Sequence, residues 1–149
     1  MAKKEPYPRC PSPRWLLVLT SMLIGIAGIV GLVYQQYNLG MFALMASVFS
    51  INFYRDEDDT SVRLSMDRIV AWTTLYIYTT YAIIYFPNFG YEYKIAVMFF
   101  LTIIPICFCT SNYLSSNNDI NWVYVHMLYH VLTFIGQIIM VHAMCSINE

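Results

Sequence analysis

Two histidines set at i and i+4, His126 and His130, are the first residues of this chain with the means to do chemistry. Read on a helix at about 100° per residue, they share one narrow stripe with Asp119, Trp122, Thr133 and Gln137. A helix places side chains four apart one above the other, so the two imidazoles can face a single metal ion. Zinc sites draw at least three ligands from the protein, so the pair by itself is not a site. The same imidazoles can instead hydrogen-bond between helices or relay a proton.

Two further stripes carry polar groups. Asp67, Ala71, Thr74, Tyr78, Tyr81 and Tyr85 align at helical spacing, where Thr and Tyr hydroxyls bond neighbouring helices more often than they conduct. Asp67, beside Arg68, reads as the end-cap of its helix. Ser47, Ser50 and Tyr54 share a third face, with Asn52 and Arg55 close by. Should the three faces meet, they gather a Ser, an Asp and two His at one end of the molecule.

The elements that must position these residues follow from composition. Of 149 residues, 58% are hydrophobic and 11% charged. A soluble domain carries about 25% charged residues, so this chain lacks the means to keep a surface wet and is a membrane protein. With a net charge of −1, nothing draws it to nucleic acid. The apolar runs predict an all-α, polytopic transmembrane bundle of about five spans in one unit, 15–144. The spans are 15–34, 40–54, 69–86, 95–110 and 121–144, with polar tails at 1–14 and 145–149. The second and fourth are short for a hydrocarbon core of about 30 Å. Residues 1–14 lack the features of a signal or transit peptide, so the first span reads as uncleaved. Lys3, Lys4, Arg9, Arg14, Arg55, Arg63 and Arg68 fall on one side of such a bundle and Lys94 alone on the other, which predicts an N-in, C-out topology.

Ser21, Gly25 and Gly28 form a small-residue face on the first span that lets another helix approach closely, whereas Ala27 lies on a different face. The acidic run Asp56, Glu57, Asp58 and Asp59 lacks the spacing of a calcium loop and reads as solvated. Cys10, Cys107, Cys109 and Cys145 show neither a disulfide framework nor a zinc spacing and read as reduced. Asp119 reads as the N-cap of the fifth helix, and Pro105 as a kink or an early end of the fourth.

The polar elements resemble those of the superfamily of alkaline ceramidases and progestin and adiponectin receptors, seven-helix membrane hydrolases. That family carries Ser and His late in its second helix, Asp near the start of the third and H-x-x-x-H on the last. Ser50-Ile51-Asn52-Phe53-Tyr54-Arg55 is similar to the first element, Ser65-Met66-Asp67-Arg68 to the second and His126-Met127-Leu128-Tyr129-His130 to the third. About a third of the chain is covered. The resemblance implies zinc on His126 and His130, Asp67 orienting or deprotonating a water, Ser50 positioning it, and a lipid amide or ester as substrate. Two departures stand out: Tyr54 or Arg55 occupies the place of the family's first zinc-binding His, and there are five spans rather than seven.

Two functions follow. The first is a small, non-catalytic structural or accessory subunit, embedded in the lipid bilayer beside other membrane subunits of an energy-converting complex or a virion membrane layer, with no cofactor. The second is a zinc-dependent intramembrane hydrolase. Which membrane holds the protein is not written in the sequence.

Overall fold

The computed structural model describes residues 14–55, 62–117 and 119–147. The tail at 1–13, with Cys10, the acidic run at 56–59 and the last two residues lie outside them. Among the described residues five helices follow in order: α1 (Arg14–Val33), α2 (Tyr37–Arg55), α3 (Val62–Tyr85), α4 (Tyr91–Ser116) and α5 (Trp122–Cys145), with a 3-10 turn at Phe86–Asn88. No strand occurs among the described residues. The protein is an all-α bundle, and α1, α3, α4 and α5 are each long and apolar enough to cross a membrane.

α2 is the exception. Its 19 residues rise about 28 Å, close to the hydrocarbon thickness. Asn38, Asn52 and Arg55 near its ends lower its apolar character. It buries Leu39, Gly40, Ala43, Ala46, Ser47, Ser50 and Tyr54 against its neighbours, so protein rather than lipid covers its polar face.

α1 lies between α2 and α5, α3 packs on the far side of α2, and α4 packs on α5. The α1–α2 seam is a backbone-level contact. A methyl group added at Gly28 would meet Leu44 Cγ at 2.7 Å and Gly40 O at 2.9 Å, and one at Gly25 would meet Ser47 Oγ at 2.7 Å. The partner of the small-residue face is therefore α2 of the same chain. Ser21 turns the other way, 3.5 Å from His130 Nδ1 on α5. Ala27 is fully buried, because α1 is covered on both sides.

Three details differ from the sequence reading. α3 begins at Val62 rather than 69, so Asp67 lies inside the helix and is not its end-cap. Instead of a short span at 95–110, α4 continues through Pro105 to Ser116, which puts Ser111 on a helix rather than in a loop. Asp119 Oδ1 accepts the Asn121 N–H at 2.9 Å, within the turn that precedes α5, and so does not cap the helix itself.

Tyr34 and Gln36 mark the turn from α1 to α2. Gln36 N–H donates to Gly31 O at 2.8 Å and Gln35 N–H to Leu32 O at 3.0 Å, the paired bonds of a Schellman end. Gln35 holds the left-handed position with φ of 60°, where glycine is usual. At the turn of the α3–α4 hairpin, Lys94 Nζ donates to Pro87 O at 3.1 Å and lies over the Phe86 ring.

Candidate functional site

The three polar stripes meet. α5 touches all four other helices, so its inward face collects side chains from each. Along α3, Thr74 donates to Phe42 O at 3.2 Å and Tyr78 to Leu39 O at 3.1 Å, while Tyr81 accepts from Asn38 Nδ2 at 2.8 Å. These bonds fasten α3 to α2.

At the end of the bundle where α2 finishes and α5 begins, Ser50 Oγ donates to Asp67 Oδ1 at 2.5 Å. One turn on from Ser50, the Tyr54 hydroxyl lies 2.6 Å from His126 Nε2. The other nitrogen of that ring, Nδ1, lies 2.9 Å from Ser111 Oγ on α4. His130 places its Nδ1 2.9 Å from Thr20 Oγ1 on α1. Ser50, Tyr54, Asp67, Ser111, His126 and His130 are all buried.

A proton count orders the network. Thr20 donates its single proton to Leu16 O at 2.9 Å, so it accepts from His130 Nδ1–H. Ser111 has Trp122 O at 3.4 Å as an acceptor, accepts from His126 Nδ1–H, and leaves His126 Nε2 to accept from the Tyr54 O–H. Both imidazoles are then neutral Nδ1–H tautomers, the form suited to a desolvated interior. Hydroxyls that fix Nδ1 also orient an imidazole as second partners of metal-binding histidines do.

The rings pack as closely as the polar atoms. His126 and His130 stand edge to face with centroids 4.7 Å apart, and Tyr54 lies 5.6 and 5.9 Å from them. Tyr129 lies 5.3 and 5.4 Å from the same two rings. Tyr54 thus lies against both histidines. No three residues of the types His, Cys, Asp and Glu gather to hold a metal among the described residues. Asp67, the carboxylate nearest in sequence pattern, is engaged by Ser50.

Of the residues singled out from sequence, Ser50, Asp67, His126 and His130 come together at this site. Thr133 and Gln137 continue the stripe toward the other end of the bundle, and Gly25 and Gly28 lie on the separate α1–α2 seam. Sequence reasoning missed Thr20 and Ser111 as partners of the histidines. The signal for Ser111 was the apolar pattern of α4, which runs on past 110 to Leu114. Cys107, Cys109 and Cys145 form no disulfide among the described residues, and none belongs to the site.

No family model, curated protein or solved structure matches the chain.

Proposed function

We propose that the protein is a non-catalytic integral membrane protein, a structural or accessory subunit that packs with other subunits in a larger membrane assembly such as an energy-converting complex or a virion membrane layer. One observation carries this reading: both ring nitrogens of His126, Nδ1 of His130 and the Asp67 carboxylate are held by hydroxyls. Tyr54 occupies His126 Nε2, hydroxyls hold both Nδ1 atoms, and Ser50 takes up Asp67. Such bonds contribute about 0.6 kcal/mol each on average between membrane helices, and here they join α1, α2, α3, α4 and α5. The outward faces, with Leu19, Met22, Ile26 and Ile29 on α1 and Ile95, Met98 and Phe99 on α4, suit lipid or neighbouring subunits.

A second reading is favoured by the convergence itself. The three sequence elements that resemble the alkaline ceramidase superfamily lie side by side, which is the placement a zinc-dependent lipid amide or ester hydrolase needs. The donor set does not fit zinc, because Tyr54 bonds His126 Nε2 and Asp67 is bonded to Ser50.

Elemental analysis of purified protein separates the readings, with His126→Gln and His130→Gln compared by thermal unfolding. A metal-free wild type and two variants that still fold are expected. Stoichiometric zinc that either variant loses would transfer the conclusion to the hydrolase.

A further inference from the structure

We propose that Gln137 binds an internal water molecule, shared with the hydroxyl of Thr133, in the middle of the bundle. Gln137 is 3% exposed, and neither Oε1 nor Nε2 has a hydrogen-bond partner. The Thr133 hydroxyl, one turn earlier on the same face, is also buried and has no partner at full hydrogen-bond geometry, with the Tyr129 hydroxyl the polar group beside it.

The surroundings explain why the protein supplies none. Thr20 adjoins His130 and Tyr34 adjoins His142, so α1 runs parallel to α5 and presents its middle at the level of Gln137. There α1 offers Ile24 and Ala27, both buried and apolar. On α3 the Thr74 and Tyr78 hydroxyls are committed to the carbonyls of Phe42 and Leu39. The turn of α5 beyond Gln137 is apolar, with Met140, Val141 and Met144 buried.

A dry, unpaired amide in such a place costs several kcal/mol, and buried polar groups in proteins nearly always find a partner in the chain or in water. A group this enclosed is beyond reach of a lipid headgroup or a neighbouring subunit. Water fits, because a buried water typically makes about three hydrogen bonds. Gln137 Oε1 accepts one of its protons, Gln137 Nε2–H donates to its oxygen, and the Thr133 hydroxyl provides the third contact. The water would extend the polar track from His126 and His130 to mid-bundle whichever functional reading holds.

The test uses the full chain in detergent micelles, perdeuterated and carrying amide-labelled glutamine. A cross-peak between water and the Gln137 side-chain amide protons is expected, assigned by its loss in Gln137→Leu. Absence of the cross-peak in wild type would show a dry amide and overturn the proposal. Should Gln137→Leu fail to assemble, Gln137→Met takes its place, and the wild-type cross-peak decides by itself.

Discussion

Replacing Tyr54 by Phe removes the hydroxyl that bonds His126 at the centre of the site. The substitution keeps the ring that packs 5.6 Å from His126 and 5.9 Å from His130, and removes only the hydroxyl 2.6 Å from His126 Nε2. Tyr54 is 6% and His126 8% exposed, so solvent has little access to replace the lost donor. Rotating the ring is no remedy, because Nδ1 is held by Ser111. A buried acceptor left unsatisfied costs about 1–3 kcal/mol, whereas membrane helices that find other partners after separation reduce such costs toward about 0.6 kcal/mol. Between these limits, Tyr54→Phe should destabilise the bundle by about 1–2 kcal/mol. Equilibrium unfolding in mixed micelles, followed by circular dichroism, measures it. Tyr76→Phe is the control, since Tyr76 is 69% exposed and should tolerate the change. In a background of His126→Leu the cost of Tyr54→Phe should largely vanish, because the acceptor is gone. A Tyr54→Phe protein within about 0.3 kcal/mol of the Tyr76→Phe control would show that this bond does not stabilise the bundle, as would an equal cost in both backgrounds.

Gly28→Ala should cost about 1–3 kcal/mol in the same assay, because its methyl meets the backbone of α2. Gly136→Ala should cost less, since its nearest neighbours are the flexible Ile104 and Phe100 side chains at 3.2 and 3.3 Å. Ala27, fully buried, is no neutral control for bulk on α1; the exposed Ile29, changed to Leu, is, and an effect as large as that of Gly28→Ala would contradict the assigned seam. Gln35→Gly should stabilise the protein by about 1 kcal/mol by relieving the left-handed conformation at the end of α1, and an unchanged or lower midpoint counts against that strain. Accessibility labelling of tags at the two termini should place them on opposite sides of the membrane with the N-terminus cytosolic, as the basic bias predicts; labelling of both from one side would break the five-span topology.

The apolar runs alone determine an all-helical membrane bundle, because lipid leaves a lone segment no way to satisfy its backbone except by coiling. The periodicity of polar residues likewise determines which faces turn inward: Asp67, Thr74 and Tyr78 on α3, and His126, His130 and Gln137 on α5. Helix ends are less legible, since polar turns can be absorbed into a helix when neighbours cover them. α3 thereby gains the turn that carries Asp67 inside, and α4 the turn that presents Ser111 to His126. What pairs with what was decided only in three dimensions. Spacing fixes where a side chain points on its own helix, but not which helix stands opposite. The close α1–α2 seam and the parallel run of α1 beside α5 give His130 to Thr20, His126 to Tyr54 and Ser111, and leave Gln137 facing apolar neighbours.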